Sequence, residues 1–105
     1  SMDLLVQQDG ETKRLGETEQ VHVGGRVFFR LAAGETTPVS VWVRGPEGVA
    51  TIAKATAGPE TTDLRSGDGL TAYRFDVPGT YTFFASPKAE RCEPPTCAEQ
   101  RVEVK

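Results

Sequence analysis

Residues 39–53 read Val39-Ser40-Val41-Trp42-Val43-Arg44, then Gly45-Pro46-Glu47-Gly48, then Val49-Ala50-Thr51-Ile52-Ala53. In the first segment three valines alternate with Ser40, Trp42 and Arg44. Successive side chains of a β-strand point to opposite faces, so this alternation predicts a strand whose valines face a core. Because four residues rich in Gly and Pro separate the two apolar segments, the whole stretch is typical of a β-hairpin.

Short strand-like segments also lie on both sides of this hairpin. Alternation puts aromatic and aliphatic residues on one face of 26–32 (Val27, Phe29, Leu31) and of 71–77 (Tyr73, Phe75, Val77). No segment of ten or more residues has the apolar spacing of a helix. Further strands are predicted in 4–6, 80–85 and 100–104, with one or two edge strands in 11–23. The pattern predicts an all-β, antiparallel Greek-key β-sandwich of seven to eight strands.

The length of the chain and its charge limit the function classes. The 105 residues are the size of one domain, predicted to span 3–105, and Ser1-Met2 (residues 1–2) is typical of a pair left by tag removal. Twelve basic and fifteen acidic side chains give a net charge of −3, which argues against a nucleic-acid partner. No apolar run approaches the ~20 residues of a membrane span, so we expect no membrane insertion by this domain.

The segment Phe75-Asp76-Val77-Pro78-Gly79-Thr80-Tyr81-Thr82-Phe83 resembles the strand–corner–strand passage of immunoglobulin-like domains. The resemblance implies a structural corner at Pro78, Gly79 and Tyr81, in which the tyrosine hydroxyl bonds back across the turn. It also places Phe83 and Phe29 where antibody-type domains have a disulfide between the sheets, so the two rings would pack there instead. The family's core tryptophan corresponds to Trp42, although alternation turns this residue away from the valines.

The chain is also similar in outline to the cupredoxins, in Val21-His22-Val23-Gly24-Gly25-Arg26-Val27-Phe28-Phe29 and in Pro78-Gly79-Thr80-Tyr81-Thr82-Phe83-Phe84-Ala85. A blue-copper site needs two histidines, a cysteine thiolate and usually an axial methionine. Here Ala85 stands where the ligand cysteine would be, and His22 is the chain's single histidine. This resemblance therefore implies at most a cupredoxin-like domain without copper.

Side chains that could carry catalysis or hold a cofactor are few and scattered. His22 has no second histidine or cysteine near it, and no serine lies in an elbow motif that would make it a nucleophile. Asp63 and Asp68 share the loop 57–69, which lacks the closely spaced acids of a calcium loop. We therefore expect no enzyme, no metal site and no cofactor.

Cys92 and Cys97, separated by four residues, are the chain's two cysteines. A zinc site would need two further thiolates or imidazoles, and a redox pair usually has two intervening residues at a helix start. The remaining interpretation is a local disulfide, which would persist in an oxidising compartment. It predicts an extracytoplasmic location: periplasm, envelope or cell exterior.

Trp42 and Phe84 fall on the sheet face opposite the core valines, and two large aromatic side chains on an outer face need an explanation. One alternative is that the loop 86–99 folds over them as a satellite core. The other is a docking surface in which Trp42 and Phe84 anchor a partner and Arg44 and Arg74 contact its rim.

These features favour a non-catalytic protein-interaction or structural spacer module of a larger bacterial secreted or envelope protein. Its partner would be another protein or another domain of the same polypeptide. The partner would bind to the Trp42 and Phe84 face, to the loops at one end of the sandwich, or by pairing at an edge strand. Two alternatives remain. The first is a carbohydrate-binding module that stacks sugars on Trp42, Tyr73 or Phe84, and the second is a degenerate cupredoxin-like domain that has lost its copper site.

Overall fold

The computed structural model describes residues 1–86 and 97–105, and strands make up most of this part of the chain. The one 3-10 turn in these described ranges is Leu15–Glu17. Within the described residues no helix has the length and apolar character needed to cross a bilayer. The eleven strands, of which three have only two residues, are β1 (Met2–Gln8), β2 (Glu11–Arg14), β3 (Arg26–Leu31), β4 (Thr37–Gly45), β5 (Gly48–Ala57), β6 (Thr62–Asp63), β7 (Arg65–Ser66), β8 (Gly69–Leu70), β9 (Ala72–Arg74), β10 (Gly79–Ser86) and β11 (Ala98–Val104).

The strands form two main antiparallel sheets. The five-stranded sheet has the order β2-β1-β3-β6, and β9 pairs with the same edge of β3 as β6 does, at the start of β3 instead of its end. The four-stranded sheet has the order β11-β10-β4-β5, so β10 lies beside β4 although β5 to β9 separate the two in sequence. A two-stranded ribbon, β7-β8, stands apart from both sheets. The all-β, antiparallel class predicted from the sequence is therefore confirmed.

One hydrophobic core lies between the two sheets, as in a β-sandwich. The alternation predicted for β4 and β3 is confirmed, because Val39, Val41 and Val43 are buried in this core, as are the inward residues of β3. The rings of Phe29, from the five-stranded sheet, and Phe83, from the four-stranded sheet, meet edge to face with their centroids 5.4 Å apart. The aromatic contact between the sheets that the sequence predicted is present.

Met2 takes part in this core. It begins β1 opposite Leu31 and is 3% exposed. Setting Ser1-Met2 apart from the fold was therefore wrong for Met2, because the apolar face of β1 begins at this side chain; the origin of the pair in tag removal stays a prediction.

The segment 20–25 connects the two sheets. Val21 forms an isolated parallel bridge with Val104 of β11, while the Gly24 amide donates to the Phe75 carbonyl at 2.8 Å. The side-chain amide of Gln8, in β1, holds the same segment, because it donates to the Gln20 carbonyl and accepts from the His22 amide. These hydrogen bonds close one edge of the sandwich. From the sequence we predicted only a polar segment there, with one or two edge strands.

The predicted corner before β10 is present. The Tyr81 hydroxyl donates to the Val77 carbonyl at 2.6 Å, across the turn formed by Pro78 and Gly79. Gly79 has φ +142°, and a Cβ there would lie 2.4 Å from Cγ of Pro46. The corner therefore packs directly on the turn between β4 and β5.

Replacement of Tyr81 by phenylalanine should lower the free energy of unfolding by about 1 kcal/mol. The variant keeps the ring, which packs on Phe75 at 4.8 Å, and loses only the hydrogen bond to Val77. Urea denaturation followed by Trp42 fluorescence measures the change. Tyr73→Phe is the matched control because the Tyr73 hydroxyl makes no hydrogen bond with the residues that the structure describes. An equal loss in both variants would contradict the role given to the corner.

The same two tyrosines predict how stability depends on alkaline pH. Burial raises the pKa of Tyr73 and Tyr81 above the ordinary value of 10.0. The folded state therefore favours the neutral phenols; this contribution is fully present below pH 10 and is lost as the pH rises through the raised pKa values. The free energy of unfolding should fall more steeply above pH 10 in the natural chain than in a Tyr73→Phe/Tyr81→Phe variant, and parallel curves would contradict this.

Candidate interaction surface

Trp42 and Phe84 lie side by side on the outer face of the four-stranded sheet. They are register partners in β4 and β10, and their rings stack with centroids 4.2 Å apart and an interplanar angle of 21°. Together with Cys97 they form a second, small hydrophobic cluster. The sequence correctly predicted that the two rings share the face opposite the valines.

These rings are buried, each being only 2% exposed. Cys97 covers them from the described part of the chain, and the guanidinium of Arg44 lies 5.8 Å from the Trp42 ring centroid and 5.5 Å from that of Phe84. This burial agrees with a satellite core and not with an exposed docking surface. The predicted covering loop, 86–99, lies outside the described residues from 87 to 96.

Arg74 does not belong to this face. It lies in β9 of the other sheet, where its guanidinium pairs with Asp76 at 3.4 Å. The grouping of Arg74 with Trp42, Phe84 and Arg44 was wrong because β9 pairs with β3 and not with β4 or β10.

The rings proposed as a sugar-binding platform are also not brought together on a surface. Tyr73 points into the core, where its ring meets Phe83 edge to face at 5.5 Å, while Trp42 and Phe84 are covered on the other side of the four-stranded sheet. A sugar ring needs an exposed aromatic face for stacking, so this arrangement argues against carbohydrate binding.

Several acidic side chains near His22 line a shallow groove. The groove, of about 290 Å³, lies beside β1 and β2 and includes His22 and Lys13 with the carboxylates of Asp9, Glu11, Glu17 and Glu19. In the described part of the chain, no three His, Cys, Asp or Glu side chains are grouped closely enough to hold a metal. Asp63, whose loop in the sequence lacks the closely spaced acids of a calcium site, accepts a hydrogen bond from Arg30 Nε at 3.1 Å.

The outer face of the five-stranded sheet carries a different set of side chains, in three rows across the strands. Because Leu4, Val6, Val27 and Phe29 point into the core, their neighbours along β1 and β3 point outward. The middle row is Arg14, Leu5, Phe28 and Ala72; one flanking row is Thr12, Gln7, Arg26 and Arg74; the other is Asp3, Arg30 and Asp63. We call the first two rows the arginine face.

The two flanking rows differ in how their charges are balanced. Arg30 lies between Asp3 and Asp63 and makes an ion pair with Asp63. Arg26 and Arg74 are direct register partners, and like charges in this position repel. Within the described residues no carboxylate pairs with Arg26, and the Arg74–Asp76 pair is too exposed to be worth much.

Sequence reasoning missed this surface, although half of the signal was present. The alternation that places Val27 and Phe29 in the core also places Arg26, Phe28 and Arg30 on the opposite face. The other half, the pairing of Arg26 with Arg74, depends on which distant strands lie together.

No protein-family model, curated protein or solved structure matches this chain.

Proposed function

We propose that this chain is a non-catalytic protein-interaction or structural spacer module of a larger bacterial secreted or envelope protein, with an immunoglobulin-like, Greek-key sandwich fold. The arginine face is the observation that carries the proposal. Phe28 and Leu5 are half-buried at its centre, and three arginines surround them. Aromatic residues and arginines concentrate binding energy in protein interfaces, so this combination suits a partner protein.

The immunoglobulin-like assignment rests on strand order and on two local contacts. Eight strands remain when the two-residue strands are left out, and β10 lies between β4 and β11, as in a Greek key. The hydrogen bond from Tyr81 to Val77 resembles the tyrosine corner of that family, and under this assignment the Phe29–Phe83 contact would take the place of the family's disulfide. A copper-free cupredoxin-like domain is the alternative sandwich.

Strand addition at β5 is the second route to a partner. This strand is ten residues long, forms one edge of its sheet and carries a single charge, Lys54. The opposite edge, β11, carries three charged residues: Glu99, Arg101 and Glu103. The Thr80 hydroxyl donates a hydrogen bond to the Glu103 carboxylate at 2.8 Å and so helps to lower the pKa of Glu103. Charged edges resist pairing with other chains, so β5 is the edge better suited to accept a strand.

Site-specific photo-crosslinking in the full-length protein, in its own host, tests the proposal. A photoreactive residue at Ala72 samples the arginine face, one at Thr51 samples the β5 edge, and one at the exposed Glu60 serves as the control. We expect a discrete protein adduct at Ala72, identified by mass spectrometry. Excess unlabelled domain should suppress it, whereas the Phe28→Ser domain should not.

Each other outcome has a definite meaning. An adduct at Thr51 alone would move the interaction to the β5 edge, and equal labelling at Glu60 would show non-specific encounter. If no position gave an adduct, the interaction role would be refuted and the spacer role would remain.

The extracytoplasmic location is part of the same proposal and rests on the predicted Cys92–Cys97 disulfide. Cys92 lies outside the described residues, so the bond stays a prediction. Cys97 is 8% exposed and packs on Trp42 and Phe84, so a cross-link there would hold the second hydrophobic cluster in place.

Reduction of this disulfide should lower the free energy of unfolding by about 2 kcal/mol, because closing a short loop restricts the unfolded chain. Denaturation with and without dithiothreitol measures the effect, and alkylation without reductant should leave both cysteines unmodified. A Cys92→Ala/Cys97→Ala variant is the control and should not respond to reductant. Free thiols in protein isolated from its native compartment would contradict both the bond and the location.

A further inference from the structure

We propose that the arginine face binds an acidic protein segment, with a carboxylate held between Arg26 and Arg74 and a neighbouring apolar side chain on Phe28 and Leu5. This inference rests on the proposed function and names the chemistry of the partner. It is carried by the juxtaposition of two like charges and an apolar strip on one face of a sheet.

The first step concerns the arginine pair. Directly opposed residues on neighbouring strands have Cβ atoms roughly 5 Å apart, so the guanidinium groups of Arg26 and Arg74 can reach one oxyanion together. Both side chains are exposed, and the contacts recorded for them in the described residues, Arg26 over the Phe28 ring and Arg74 with Asp76, lie at the surface. A carboxylate bound between them would replace repulsion by two charge-assisted hydrogen bonds.

The second step concerns the apolar strip beside the pair. Leu5, Phe28 and Ala72 are neighbours across three strands, and Arg26 lies over the Phe28 ring at 5.9 Å from its centroid.

The third step concerns charge. The chain carries a net charge of −3, yet Arg14, Arg26 and Arg74 frame this strip, and Asp3 and Asp63 lie on its far side. Asp76 balances one of the two charges on the Arg26–Arg74 side, and Arg30 balances one of the two on the Asp3–Asp63 side. An acidic segment is therefore attracted to the first side, which stays positive, and repelled from the second, which stays negative. This asymmetry favours a segment with its carboxylate beside the apolar residue and fixes its orientation on the face.

Nuclear magnetic resonance titration with a synthetic probe tests the inference. The probe is the acetylated, amidated peptide Glu-Leu-Phe-Gly, and its matched control has Gln in place of Glu. We expect backbone shift changes confined to β1, β3 and β9. The Gln peptide should bind with about tenfold lower affinity than the Glu peptide, and added salt should lower the affinity of the Glu peptide.

Two variants of the chain complete the test. Arg26→Gln/Arg74→Gln should lose about tenfold in affinity for the Glu peptide, whereas Arg101→Gln, on the other sheet, should not. The double variant should also melt about 2 °C higher, because it removes the repulsion between the two arginines. Loss of binding together with a gain in stability separates recognition from a structural role.

Equal binding of the Glu and Gln peptides, or no localised shift at millimolar peptide, would overturn the inference. A phosphoserine peptide that bound while the Glu peptide did not would overturn the choice of a carboxylate. If crosslinking at Ala72 gave an adduct while the acidic peptide failed, the interaction function would stand and the partner's chemistry would be wrong.

Discussion

Replacing Phe83 by alanine should lower the free energy of unfolding by about 4 kcal/mol, a large part of the stability of a small domain. The side chain is fully buried and lies at the centre of the contact between the sheets. Its ring meets Phe29 at 5.4 Å, Tyr73 at 5.5 Å and Phe75 at 6.1 Å. Removing it leaves a cavity lined by aromatic rings that cannot all move inward.

Phe28→Ala is the matched control for this prediction. Phe28 is a half-buried phenylalanine on the outer face of β3, so its loss should cost about 1 kcal/mol. Chemical denaturation followed by the fluorescence of Trp42, the chain's single tryptophan, compares the two variants. Phe83→Leu, with an expected loss of about 2 kcal/mol, supplies a value if the alanine variant does not fold. Similar costs for Phe83→Ala and Phe28→Ala would contradict the assigned core.

Replacing Gly79 by alanine should cost about 3 kcal/mol, from two separate causes. The backbone at Gly79 has φ +142°, a conformation that residues with a Cβ adopt only with strain. The added Cβ would also lie 2.4 Å from Cγ of Pro46. The corner before β10 would have to move away from the turn between β4 and β5.

Two further variants separate strain from steric overlap. Gly48 also has a positive φ, +111°, but has open space around its Cβ position, so Gly48→Ala should show the backbone cost alone. Pro46→Ala removes the clashing Cγ and should recover part of the loss in a Gly79→Ala background. Thermal unfolding of the natural chain, the three single variants and the Pro46→Ala/Gly79→Ala double variant measures both effects. The steric account fails if Pro46→Ala is additive with Gly79→Ala.

Local patterns in the sequence were sufficient for several structural features. The alternation in 39–44 correctly assigned Val41 to the core and Trp42 to the opposite face, because side-chain direction in a strand depends only on position along it. The corner at Tyr81 was expected from the resemblance of 75–83 to immunoglobulin-like domains, and the hydrogen bond to Val77 that forms it lies within one continuous turn.

Other features depend on contacts between distant segments. Whether Trp42 and Phe84 are exposed depends on what covers the outer face of their sheet. The alternation of side chains along a strand does not determine this. Arg74 was assigned to the wrong sheet because its partner strand, β3, lies far away in sequence. Met2 was left out of the predicted domain because it is the second residue of the chain, although its side chain completes the apolar face of β1.

The amino-acid sequence alone determined that this protein forms β-strands with one apolar face each, because the alternation of apolar and polar side chains is a property of neighbouring residues. Only the three-dimensional structure established which strands lie next to each other. That arrangement places Arg26 opposite Arg74 on neighbouring strands and encloses the stacked rings of Trp42 and Phe84. The physical reason is that strand pairing is set by the combined packing of both sheets, to which each short segment contributes only a part.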